Sequence, residues 1–184
     1  NSLDYETATS YTLALNASDG VNTTTSELII TVDDVNEAPS LSNSLAASSF
    51  AENVSTGTTI ATASASDPES QAITYSLSGT GSEYFAVDDS GNVTLIAGLD
   101  YETASSYSLT LSASDGVNTT INTIIISISD VNEAPSLSSS LAASSFAENT
   151  ATGTTIATSS AADPESQTIT YSLSGTGSEN FAVD

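Results

Sequence analysis

Sixteen of the chain's 23 carboxylates fall into five short motifs, each of which returns 96 residues later. Ala51-Glu52-Asn53 becomes Ala147-Glu148-Asn149, and Asp67-Pro68-Glu69 becomes Asp163-Pro164-Glu165. Leu3-Asp4-Tyr5-Glu6 becomes Leu99-Asp100-Tyr101-Glu102, and Ala17-Ser18-Asp19-Gly20 becomes Ala113-Ser114-Asp115-Gly116. Asp34-Val35-Asn36-Glu37 returns as Asp130-Val131-Asn132-Glu133. No Lys, Arg, His or Cys accompanies them, and the formal net charge is −23. Carboxylates gathered without a base raise one another's pKa and oppose compaction. A hard divalent cation relieves that repulsion, and Ca²⁺ takes six to eight oxygen ligands in flexible geometry. The all-oxygen donor set points to calcium and away from zinc, copper and iron. The same composition removes the usual nucleophile–base pairs and oxyanion-stabilising cations, so no enzyme activity and no organic cofactor are expected. Nucleic acid is a poor partner for a chain without basic groups, and no segment is apolar for long enough to span a membrane.

The elements that must position these acids also repeat. Residues 1–88 align with residues 97–184 without a gap, and 68 of the 88 pairs are identical. A period of this length describes an array of small domains. Within a period the apolar residues alternate: Tyr107, Leu109, Leu111 and Ala113 share one face of a run, and Ile124, Ile126 and Ile128 share another. Such runs read as half-buried strands, expected near 44–50, 58–65, 71–78, 83–88, 92–96, 106–114 and 121–129. Gly-rich turns separate them, and every acidic motif lies at a strand end or loop. Seven short strands without helical periodicity predict an all-β fold of tandem seven-stranded Greek-key, immunoglobulin-like β-sandwiches. Pro39 and Pro135 close their units, so the expected division is a C-terminal part of one repeat (1–39), a complete repeat (40–135) and an N-terminal part of the next (136–184).

The ordered string of Glu-Asn, Asp-x-Glu, Leu-Asp-x-Glu, Ala-Ser-Asp-Gly and Asp-x-Asn-Glu-x-Pro resembles the cadherin-repeat signature in the form found in prokaryotic cadherin-like domains. The resemblance covers the whole chain and implies calcium ions between successive domains. At the later joint it implies metal ligation by Glu52, Asp100, Glu102, Asn132 and Glu133, completed across the joint by Asp163 and Glu165. At the earlier joint it implies Asp4, Glu6, Asn36 and Glu37, completed by Asp67, Glu69 and Asp115. Asp34 and Asp130 are read as structural openers of the linker, outside the ligand set. Glu37, Glu133, Glu69 and Glu165 stand where commoner repeats carry Asp. No Trp is present for the strand exchange used by adhesive animal cadherins. The implied function is a calcium-rigidified stalk or fibre segment of a bacterial extracellular adhesin or filament, at the cell surface or secreted. The implied partners are calcium ions and neighbouring repeats of the same chain. The alternatives are a module for homophilic binding to other copies of the chain, or for surface polysaccharide, and a spacer in a secreted enzyme.

Overall fold

The computed structural model describes residues 2–183. An opening hairpin pairs β1 (Ser10–Ser18) with β2 (Thr23–Thr31) in antiparallel register, Leu13 opposite Leu28. Eight strands follow: β3 (Ser40–Leu45), β4 (Phe50–Ala51), β5 (Thr59–Ser66), β6 (Thr74–Thr80), β7 (Phe85–Val87), β8 (Asn92–Leu95), β9 (Ser106–Ser114) and β10 (Thr119–Ser129). A last pair, β11 (Ser136–Leu141) and β12 (Ala157–Ala162), repeats the β3–β5 pairing.

The eight central strands form two sheets, ordered β3-β5-β8-β7 and β4-β10-β9-β6. All neighbours are antiparallel except β4 and β10, which run parallel. The alternation read from the sequence decides which side chains meet between the sheets. Ile60, Val93 and Leu95 come from the first sheet; Leu109, Leu111, Ile124 and Ile126 come from the second, and none is more than 1 % exposed. The Phe85 ring meets Tyr107 edge-on, with centroids 5.6 Å apart. Each of these large aliphatic side chains contributes roughly 1.5–3 kcal/mol by leaving water, so the sandwich is the frame on which the loops are held.

The single strand expected at 44–50 is two strands. β3 pairs with β5, and Ala46 still donates its N–H to the Ile60 carbonyl at 2.8 Å. The chain then crosses to the other sheet over residues 46–49, where Phe50 enters the core and Glu52 donates its N–H to the Ser129 carbonyl at 3.1 Å. The small residues Ala46, Ala47, Ser48 and Ser49 permit the crossing. The segment expected at 83–88 begins as a 3-10 turn, Ser82–Tyr84, before β7.

Strands form only where a partner exists. Residues 169–179 repeat 73–83 letter for letter, yet β6 lies in one copy and no strand in the other. β6 pairs with β9 along its whole length, and among the described residues 170–176 pairs with no strand. A ladder of cross-strand pairs supplies the stabilisation that isolated extended chain lacks.

Candidate metal centre

The acids lie at strand ends, where the frame turns them toward the joints. Glu52 follows β4 directly and is only 5 % exposed. Its two carboxylate oxygens accept the Tyr101 N–H and the Val131 N–H, each at 2.7 Å. It thereby ties the loop ahead of β9 to the linker that leaves β10. Around it, Glu52, Asp100 and Glu102 bring carboxylate oxygens within 4.8 Å of one another. Glu102 is also part of a second group, with Asp130 and Glu165, on the same criterion. The earlier joint repeats that second group as Glu6, Asp34 and Glu69.

The linkers are bound into the same clusters. The Glu133 N–H donates to Glu165 Oε1 at 3.1 Å, and the Glu37 N–H donates to Glu69 Oε2 at 3.4 Å. Asn36 donates from Nδ2 to Asp115 Oδ2 at 2.8 Å, while Asn118 donates to the Asn36 carbonyl at 3.2 Å. Asn132 turns its amide onto the Glu133 carbonyl at 2.8 Å and receives Gln167 on its oxygen; Gln71 binds Asn36 likewise. Asp67 and Asp163 each accept the N–H four residues on, from Gln71 at 3.0 Å and Gln167 at 2.8 Å. Those turns hold Ser70 and Ser166 at φ of 61° and 59°. A non-glycine residue there costs on the order of 1 kcal/mol, a strain found where a turn must aim a functional side chain.

Charge shifts mark the crowding. The Glu37 carboxyl is pushed up to about 7, first by its hydrogen bond with Glu69, then by lost hydration and the charges of Glu69, Glu6 and Asp34. Glu133 is pushed up to about 7 by its hydrogen bond with Glu165, with lost hydration and the charges of Glu52, Glu165 and Glu102 adding to it. Glu165 is held low by the same bond. Glu102 is raised, chiefly by lost hydration and then by Glu52, Asp130 and Glu165. Asp115 goes the other way, because the Asn36 amide and two backbone N–H groups favour its ionised form.

A cation fits these groups. Oxygens bound to one Ca²⁺ at 2.3–2.6 Å stand at most about 5 Å apart, the separation seen within each group. Asp67 Oδ2, Glu69 Oε1, Glu133 Oε2 and Glu165 Oε2 are buried without a hydrogen-bond partner, and a buried carboxylate oxygen with none is costly unless a cation meets it.

Of the residues named from the sequence, Glu6 and Glu69 meet at the earlier joint, and Glu52, Asp100, Glu102 and Glu165 meet at the later one. Glu37 and Glu133 join through their partners Glu69 and Glu165, and Asn36 joins through Asp115. Asp4 stays apart from the three groups, caps its own turn by accepting the Thr7 N–H and hydroxyl at 3.1 and 3.0 Å, and is held low by them. Asp163 and Asn132 stay in the turn and linker hydrogen bonds described above. Asp34 and Asp130, taken as linker openers, lie inside the carboxylate groups. Each follows the last strand of its hairpin and faces the Leu-Asp-Tyr-Glu loop that precedes the first, a proximity that motif order does not carry.

A β-sandwich flanked by strand pairs that repeat its own, with acid groups where they meet, belongs to the class of tandem-repeat, all-β proteins. The sequence model of the cadherin domain matches residues 47–129, and the chain carries a cadherin domain there. Cadherin-23 of Homo sapiens is 34 % identical over 99 % of this chain and 6 % of its own length. Protocadherin-like wing polarity protein stan of Drosophila melanogaster is 33 % identical over 100 % of the chain and 6 % of its length. The chain thus spans only a small part of these relatives. Among solved structures, the extracellular cadherin domains 3-6 of Protocadherin Gamma B2 superpose with a TM-score of 0.61 at 28 % identity. That match covers 89 % of this chain and 42 % of the other. Among the described residues no helix is long and apolar enough to cross a membrane.

Proposed function

We propose that this chain is a calcium-rigidified segment of an extracellular stalk or fibre, with ions held where one repeat meets the next. The units are residues 1–39, 40–135 and 136–184, and the ligands are drawn from Asp4, Glu6, Asn36, Glu37, Asp67, Glu69 and Asp115 at one joint. At the other they are drawn from Glu52, Asp100, Glu102, Asn132, Glu133, Asp163 and Glu165, with Asp34 and Asp130 added by their place in the carboxylate groups. The observation that carries this reading is Glu102. It belongs to two oxygen groups at once, one made within the central repeat and one completed by Glu165 from beyond the linker. An ion in the second group would connect the repeats, and the first would fix the loop that holds them. When bound, calcium supplies neutralisation and a rigid link; the chain's residues supply the orientation.

The name of the Protocadherin Gamma B2 structure places its own domains outside the cell, which supports an extracellular setting here. We also assign the array to a bacterial surface or secreted adhesin. The support is its lack of any Lys, Arg or Trp and its use of Glu37 and Glu133 in the linkers. Sites in extracellular calcium modules bind at about 10⁻⁴–10⁻³ M. Calorimetric titration of the full chain with CaCl₂ tests the assignment. Saturable binding in that range is expected, with a lower stoichiometry in Glu102→Gln and none lost in Glu83→Gln. The absence of binding heat, or an unchanged Glu102→Gln titration, contradicts it.

A further inference from the structure

The linker ahead of the central repeat is fastened to that repeat by bonds that involve no cation. Pro39 is fully buried, and the Thr120 hydroxyl donates to its carbonyl at 2.6 Å. The Asn118 amide donates to the Asn36 carbonyl at 3.2 Å, and the Glu37 N–H donates to Glu69. Asn36 is also held through its side chain. Its Nδ2 donates to the Glu37 carbonyl at 3.0 Å and to Asp115 Oδ2 at 2.8 Å. Both amide hydrogens are then in use and only Oδ1 is left to accept. Gln71 Nε2 donates to it.

The loop after β5 is shaped for that reach. Asp67 accepts the Ser70 N–H on its carbonyl at 3.1 Å and the Gln71 N–H on Oδ1 at 3.0 Å, and Ser70 turns the chain at φ 61°. Glu69 and Gln71 consequently grip the linker together, one on a backbone N–H and the other on a side-chain amide. The same double grip returns at the later joint, where Glu165 accepts the Glu133 N–H and Gln167 donates to Asn132 Oδ1. There Val131 is tied upstream, its N–H on Glu52, while the next residue, Asn132, is tied downstream.

We propose that Gln71 and Gln167 are positioning residues, each latching the linker asparagine to the downstream repeat before any ion arrives. Gln is neutral, so the latch persists when ions are removed. In the ion-free chain the joint bends at the Val131–Asn132 peptide and at its counterpart Val35–Asn36, with residues 36–39 still seated on the central repeat. The carboxylates of Glu37 and Glu69 are thereby arranged in advance, and the ion does not have to order them. That last consequence rests on the calcium reading above; the latch itself does not.

Residue-resolved hydrogen exchange of the full chain, read by NMR in chelator, tests the latch where no ion contributes. The Glu37 amide is expected to exchange more slowly than its intrinsic rate. Gln71→Leu speeds it about two- to tenfold, the usual net effect of one hydrogen bond. Gln71→Glu, which keeps the size and loses the donor, gives an increase in the same direction. Gln71 is exposed, so the amides of β9 and β10 keep their rates in both variants. Calorimetric titration with CaCl₂ then separates positioning from ligation: Gln71→Leu is expected to weaken binding at unchanged stoichiometry. A Glu37 amide that is unprotected in chelator, or unmoved by Gln71→Leu, overturns the latch. Loss of a bound ion in Gln71→Leu, or unchanged affinity, overturns the positioning role. Protection that Gln71→Leu removes supports the latch even in a chain that gives no calcium heat, a result that defeats the calcium reading alone.

Discussion

At the scale of single residues, the joints are governed by carboxylates that cannot all ionise together. Glu37 and Glu133, each pushed up to about 7 against an ordinary value of 4.5, bind a proton more tightly in the folded chain than in the unfolded one. Their protonation stabilises the fold fully below pH 4.5, and that contribution is lost as pH rises through about 7. In chelator the melting temperature is expected to fall across this window. In saturating calcium the trend reverses, because the ion needs the deprotonated ligands; thermal scans at several pH values read both slopes, and parallel flat lines contradict the raised Glu37 and Glu133 carboxyls. Glu52 has a structural role alongside its place in the acid group. Glu52→Ala leaves the Tyr101 and Val131 N–H groups without their acceptor, at about 1–3 kcal/mol for each group left buried. Denaturant unfolding in chelator, where no ion contributes, should show that loss.

At the scale of elements, close packing sets where side chains are tolerated. Gly81 sits at φ +85, and a Cβ there would lie 2.1 Å from the Tyr107 ring. Gly57 has a similar φ but open space around it. Gly81→Ala should cost about 1–3 kcal/mol more than Gly57→Ala, since only the former overpacks the core; equal denaturation midpoints would contradict this contact. The long runs were legible in the sequence because their alternation is unbroken: β9 lies where the period of Tyr107, Leu109 and Leu111 puts it. The crossing from β3 to β4 was hidden, because Ala46–Ser49 are equally at home in a strand and in a bend. The identical segments 73–83 and 169–179 show why local reading has a limit. Their letters are the same, and among the described residues only the first has a strand, β9, paired beside it. The site was legible as motifs at strand ends. The grouping of Asp34 and Asp130 with the other acids was not legible, because motif order carries no distances and only the fold brings each within reach of the loop ahead of its hairpin.

At the scale of the whole molecule, charge is concentrated at the joints while the strands between them carry Ser and Thr outward. Outward pairs such as Ser40 with Ser66 and Ser44 with Thr62 are exposed and hydrogen-bonded across strands, at 2.8 and 3.2 Å. Repulsion is therefore focused on the linkers, where it bends or loosens the array unless an ion cancels it. Under the proposed function, the stiffness of the molecule becomes a function of calcium, and the sandwiches themselves change little. Small-angle X-ray scattering of the full chain, in millimolar calcium and then in excess chelator at matched ionic strength, tests this most directly. The account predicts a longer maximum dimension and a rod-like cross-section in calcium, and a broader, shorter distance distribution in chelator. Superimposable profiles in the two solvents would contradict it.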